Sequence, residues 1–98
     1  MREIVFTNQF KKDLKRARKR NLPEEELNAV IQDLALDVPL TPEMHDHQLY
    51  GNLEGCRECH IRPDWLLVYA KENDEIEILN LLRTGTHADL KKHSIKRT

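Results

Sequence analysis

A chain of 98 residues, 39% hydrophobic and 34% charged, has the make-up of one soluble globular domain and leaves no room for a second. No apolar run approaches the roughly 20 residues needed to cross a bilayer. No secretory signal is visible, so the cytoplasm is the expected compartment, and two cysteines are too few for a disulfide framework. The net charge of −1 argues against a general nucleic-acid binder, but the charges are unevenly placed. Lys11, Lys12, Lys15, Arg16, Arg18, Lys19 and Arg20 form a basic block, and no Lys or Arg follows until after Gly55. Lys91, Lys92, Lys96 and Arg97 make the tail basic again. Such asymmetry presents a local positive face, or simply a solvated helix surface.

In chain order, Glu3 to Phe6 reads as a β-branched and aromatic strand. Thr7 or Asn8 can cap a helix through the basic block, in which Phe10, Leu14 and Ala17 recur at helical spacing. Asn21 ends it. Pro23 suits the first turn of a second helix, where three glutamates favour the dipole and Leu27, Val30, Ile31 and Leu34 make the apolar stripe. The short link predicts an antiparallel helical hairpin. Residues Val38 to Asp46, with Pro39 and Pro42, read as a loop. Strands are expected over His47 to Tyr50, Gly55 to Ile61, Trp65 to Lys71 and Glu75 to Leu82, with a hairpin turn at Asn73-Asp74. Thr84-Gly85-Thr86 should break the last strand, with a short helical turn from Ala88. The order β-α-α-β-β-β-β describes an α+β domain with a helical hairpin on a mostly antiparallel sheet.

The second half concentrates imidazole. His45, His47, His60 and His87 fall at or beside strand ends, with Asp64, Trp65 and Arg83 among them. Each alone is an ordinary surface residue; the set carries the argument. An imidazole can give or take a proton near neutrality, and a guanidinium can clamp a phosphate on which charge is building. Two proton-transfer groups and an Arg suffice to cleave RNA through its own 2′-hydroxyl. One group activates the hydroxyl, the Arg stabilises the phosphorane, and the other protonates the leaving 5′-oxygen. That reaction needs no metal.

Three segments, Asp46-His47-Gln48-Leu49-Tyr50-Gly51, His60-Ile61-Arg62-Pro63-Asp64-Trp65 and Arg83-Thr84-Gly85-Thr86-His87, resemble the YafQ branch of the RelE-like toxins. The likeness extends to the N-terminal strand and basic helix and covers nearly the whole chain. It implies a RelE-like fold and a ribosome-dependent mRNA interferase without cofactor, acting on mRNA in the ribosomal A site. It further implies silencing by a DinJ-like antitoxin, with a monomer when free and a heterotetramer in the complex. The family's catalytic positions carry over to His47, His60, Asp64, Arg83 and His87. His87 would be the general acid, and His47, His60 or Asp64 the base or the group that orients it. Trp65 either stacks on RNA or packs the sheet edge over the helices. Related toxins often carry an aromatic four residues after the last histidine, where this chain has Lys91, a substitute phosphate contact. They are also often distinctly basic, whereas this chain has a pI near 6.5. The block from Lys11 to Arg20 and the tail would therefore carry binding to ribosomal RNA.

Three other readings compete. Cys56-Arg57-Glu58-Cys59-His60 matches the c-type haem attachment pattern, but strand alternation would put the two thiols on opposite faces. His45 and His47 could share a face and, with His60 or the cysteines, bind zinc. A non-catalytic module could bind nucleic acid and antitoxin in operon repression, leaving the histidines incidental.

Overall fold

The computed structural model describes residues 1–93, with side chains described through Leu90. The elements run β1 (Glu3–Phe6), α1 (Asn8–Lys19), α2 (Glu24–Ala35), β2 (His47–Gln48), β3 (Arg57–Arg62), β4 (Trp65–Asn73), β5 (Glu77–Gly85) and α3 (His87–His93). The sheet order is β1-β5-β4-β3-β2. Neighbours are antiparallel except β1 and β5, which pair in parallel with Glu3 opposite Ile78.

Local chemistry sets the helix ends. Thr7 caps α1 by accepting from the Phe10 N–H at 3.2 Å. Asn21 (φ 58°) and Asp37 (φ 58°) leave α1 and α2 in the left-handed conformation that ends helices and that short polar side chains tolerate. Alternation along β4 divides the interior. Trp65, Leu67 and Tyr69 join Cys59, Leu79 and Leu81 beneath the two helices, where Phe10, Ala17, Leu27, Val30, Ile31 and Leu34 complete the main core. Leu66 and Val68 point to the other face, which Leu90 of α3 covers. Cys59 belongs to the first cluster and Cys56 packs on the second, so the two thiols do lie on opposite sides of the sheet. Burial pushes the Cys59 thiol up to about 12, which makes it a core side chain rather than a nucleophile.

Several boundaries differ from expectation: β3 is Arg57–Arg62, and β4 runs to Asn73, which pairs with Glu77, so the hairpin turn lies at 74–76. Three more differences bear on the site. β2 is only His47–Gln48, because the chain turns into a 3-10 turn at Gly51–Leu53. β5 runs through Thr84 to Gly85 instead of breaking there. The Thr84 hydroxyl donates to the Leu66 carbonyl at 2.7 Å and its N–H donates to Asp13 at 3.0 Å, so tertiary partners hold the strand together. α3 begins at His87, one residue early. Gly85 is needed at that junction, since a Cβ there would lie 3.0 Å from Asp89 Cβ.

Candidate active site

Four imidazoles meet at one end of the sheet. His60, on β3, is the centre: its ring lies 5.3 Å from His45, 5.4 Å from His87 and 6.5 Å from His47, centroid to centroid. His45 reaches it from the turn before β2 and His47 from β2 itself, where it faces Glu58 in the β2–β3 register. His45 takes a left-handed conformation (φ 48°) as it closes the Pro42–Met44 3-10 turn. Asp46 between them is anchored, accepting from the Tyr69 hydroxyl at 2.5 Å and from Arg57 Nη2 at 3.0 Å. Burial, then the Asp46 carboxylate, raises the Tyr69 phenol well above its ordinary value, so it stays a donor.

Two of these histidines are oriented by carboxylates. At the turn after β3, Asp64 Oδ1 accepts from the His87 backbone N–H at 2.9 Å and faces its Nδ1 at 2.7 Å. These two bonds, the backbone one first, hold the Asp64 carboxyl below the usual carboxylate range. An ionised carboxylate only accepts, so Nδ1 carries the proton and Nε2 faces outward. His47 Nδ1 faces the His45 carbonyl at 2.7 Å, and Nε2 lies 3.2 Å from Glu58 Oε1. Partial burial first, then neighbouring His45 and His87, lowers the pKa of His60. The result is a neutral central ring between two imidazole–carboxylate pairs.

Arg83 is on β5. It is 6% exposed, and its Nε and Nη2 donate to the two oxygens of buried Asp13 at 2.7 and 3.1 Å. The structure therefore brings His47, His60, Asp64 and His87 together at the surface and holds Arg83 in a buried pair. Trp65 corrects the stacking expectation. It is 2% exposed and its indole N–H donates to Thr84 at 3.0 Å, so it packs the core and presents no face to RNA. The side chain of Lys91 and the tail residues Lys96 and Arg97 lie outside the described residues.

The basic block divides in two. Arg18 pairs with Glu24 through two 2.8 Å bonds, and Arg20 pairs with Asp89 at 2.7 and 3.3 Å. Arg16 approaches Asp13 and Asp89 at 3.7 and 3.8 Å. Lys11, Lys12, Lys15 and Lys19 are exposed and make the positive surface.

Glu58 and Asp13 were not singled out from sequence, and His45 was counted with the imidazoles but not among the catalytic positions. His45 was legible through its i, i+2 relation to His47. Glu58 shares a strand face with His60, but its place opposite His47 needs the register. Nothing in the sequence links Asp13 to Arg83.

This α+β fold carries a surface histidine cluster, which equips it for acid–base chemistry. Residues 2–92 match the family model described as a bacterial toxin of type II toxin–antitoxin systems, YafQ. The mRNA interferase toxin YafQ of Escherichia coli K12 is 39% identical over 90 residues, covering 91% of this chain and 95% of that one. A metal-bound toxin from Helicobacter pylori is 40% identical with a TM-score of 0.83, over 92% and 99% of the two chains. YafQ in the E. coli DinJ–YafQ toxin–antitoxin complex is 37% identical with a TM-score of 0.79, over 91% and 96%. The chain belongs to the YafQ toxin family.

Among the described residues no group of three or more His, Cys, Asp or Glu side chains is arranged to hold an ion. Nδ1 of His47 and of His87 already face a carbonyl and a carboxylate.

Proposed function

We propose that this chain is an mRNA interferase that cleaves translated mRNA on the ribosome by attack of the RNA 2′-hydroxyl, and that a DinJ-like antitoxin neutralises it. The observation that carries the reading is the pair of imidazole–carboxylate couples, His47–Glu58 and His87–Asp64, on either side of neutral His60. His60, kept neutral by burial and by neighbouring His45 and His87, takes the 2′-hydroxyl proton, and the His47–Glu58 pair beside it holds the nucleotide. The 2′-oxygen attacks phosphorus and the 5′-oxygen leaves, protonated by the Nε2–H of a His87 that enters the step as imidazolium, its Nδ1–H on Asp64. Asp64 fixes the His87 tautomer and direction, as the buried carboxylate does in hydrolase triads. His60 lies 5.4 Å from the His87 ring, so base and acid flank one phosphate. Arg83 serves as an oriented guanidinium behind the phosphate, its geometry set by Asp13. No step requires a metal. The exposed lysines of α1 supply contacts to ribosomal RNA phosphates, and they do so despite the acidic total because binding depends on the local field.

The test is inducible expression of the wild-type and His87→Ala chains in bacteria, reading growth and mapping mRNA 5′ ends. Growth arrest with new in-frame cleavage sites, both lost in the variant, is the expected result. Retained antitoxin binding by His87→Ala separates this reading from a purely repressing module, whose behaviour the substitution would leave unchanged. Cleavage by the purified protein on programmed ribosomes should persist in EDTA once the Mg2+ that ribosomes need is supplied in excess of the chelator.

A further inference from the structure

We infer that Arg20 is a positioning residue for the proposed reaction: through Asp89 and Thr86 it fixes the backbone that aims His87, so this member of the basic block works inside the domain and not on RNA. The inference rests on the ribonuclease reading and adds how its acid is held in place.

His87 is the first residue of α3, and its direction depends on where that seven-residue helix starts. The start is written Thr86-His87-Ala88-Asp89, a reciprocal capping pattern in which each end satisfies a free backbone N–H of the other. Asp89 Oδ2 accepts from the Thr86 N–H at 3.0 Å, and the Thr86 hydroxyl accepts from the Asp89 N–H at 3.0 Å. The two bonds span His87.

A helix of two turns contributes little toward fixing its own end, so the capping carboxylate needs support from outside. Arg20, the residue that closes α1, supplies it. Its two terminal nitrogens donate to the two oxygens of Asp89, Nη1 at 2.7 Å and Nη2 at 3.3 Å, across 69 positions of chain. Arg16, one turn earlier on α1, brings Nη1 within 3.8 Å of the same carboxylate. Gly85 packs so closely that a Cβ there would lie 3.0 Å from both Cβ and Oδ2 of Asp89. Asp89 is thus confined between α1 and the end of β5, and the His87 backbone with it.

The other support of His87 is weaker on its own. Asp64 and His87 are 66% and 57% exposed, so water competes for the bonds between them, whereas the Asp89 side chain keeps only 15% of its surface. Asp89 first, and Asp64 at longer range, raise Arg20 above the usual guanidinium value, so the field of this cation reaches the carboxylate that faces His87. An ion pair this near the surface adds little to stability. Its effect falls on geometry, where a displacement of about 1 Å can cost about 100-fold in rate. Lys19, next in the chain, is exposed, while Arg20 already spends both terminal nitrogens on a carboxylate.

The experiment measures kcat and KM on programmed ribosomes for the wild type, Arg20→Ala, Asp89→Ala and the double variant, with thermal melts to give the folded fraction. Arg20→Ala should lower kcat about tenfold at unchanged KM, and the double variant should fall no further than the lower single one, because the pair acts as a unit. The kcat–pH profile adds a readout that partial unfolding does not move. The charged and titratable groups packed about this turn are His60, Asp64, Asp89, Arg16 and Arg20. Removing the Arg20 cation favours the protonated acid, so the alkaline limb should move to higher pH. A raised KM at unchanged kcat would put Arg20 on RNA. That result, multiplicative losses in the double variant, or an unmoved alkaline limb each overturns the clamp and leaves the ribonuclease standing. If Arg20→Ala does not melt cooperatively, Asp89→Asn carries the test, since it keeps an oxygen for the Thr86 N–H and loses the charge that Arg20 grips. A lowered kcat in that folded variant supports the clamp, and a wild-type kcat overturns it. Absence of cleavage by the wild type removes both readings together.

Discussion

Asp13 and Asp64 each hold one of the groups that the family resemblance marks as catalytic, in opposite surroundings. Asp13 has no exposed side-chain surface and its partner Arg83 has 8%; Asp64 and His87 are 66% and 57% exposed. The buried pair fills its hydrogen bonds with backbone as well, since Asp13 also accepts from the Thr84 N–H. The open pair sits at the end of a turn and a helix, with the outward Nε2 of His87 available to a substrate. A charge buried without its partner costs far more than one in water. The first region therefore supports the fold, whereas the second can be rearranged or mutated cheaply and is where chemistry is affordable in stability terms.

The sharpest way to break this comparison is Asp13→Ala. Removing the carboxylate to which buried Arg83 donates through Nε and Nη2 should cost about 3–5 kcal/mol, read as a lowered urea midpoint. A loss below about 1 kcal/mol would show that Arg83 escapes to solvent and that the two regions are not different in kind. Asp64→Asn tests the other side. It should lower cleavage about 100-fold, the upper end for losing a group that orients a reactive imidazole, while the thermal midpoint stays with the wild type. An unchanged rate would remove Asp64 from the mechanism.

Asp89→Ala probes the seam between the regions. Asp89 accepts from the Thr86 N–H at 3.0 Å and pairs with Arg20, and Arg20, then the Thr86 backbone, hold its carboxyl far below the usual range. Loss of this cap should cost about 1 kcal/mol and lower cleavage moderately by loosening the His87 turn, measured by paired melts and rates. His60 gives a pH signature. Its folded pKa is depressed below 6.5, so the stability it contributes is complete above 6.5 and is lost as pH falls through the lower folded value. His60→Gln should flatten the stability–pH curve in that window. The smallest effect belongs to Asp37, which Lys71, then Arg2, lower to about 2. Its contribution is present above 3.8 and disappears as pH falls toward 2. Asp37→Asn should remove that part of the acid transition, and an unaltered transition would deny it.

The fold was legible where one signal dominated. β1 falls on Glu3–Phe6 as expected, and the apolar stripes of α1 and α2 placed both helices within a residue or two. The misses are tertiary. Thr84 and Gly85 carry turn-like composition, yet bonds to Leu66 and Asp13 keep them in β5. The meeting of His47, His60, Asp64 and His87 was suggested by the unusual number of imidazoles and by the resemblance. The Pro63 turn hid from periodicity how Asp64 and His60 both reach His87. Trp65 was ambiguous from its type alone, because an indole serves core and stacking roles equally, and only its bond to Thr84 decided between them.

β1 lies beside β5, and Arg2 fastens the first strand to the β4–β5 turn through the carbonyls of Glu72 and Ile78, the latter 76 residues along the chain. The first strand therefore cannot take its place until residues more than 70 positions downstream have been made. His87 follows later still. A chain cut before β5 has neither a completed sheet nor the acid of the proposed reaction, so partial synthesis yields no working site.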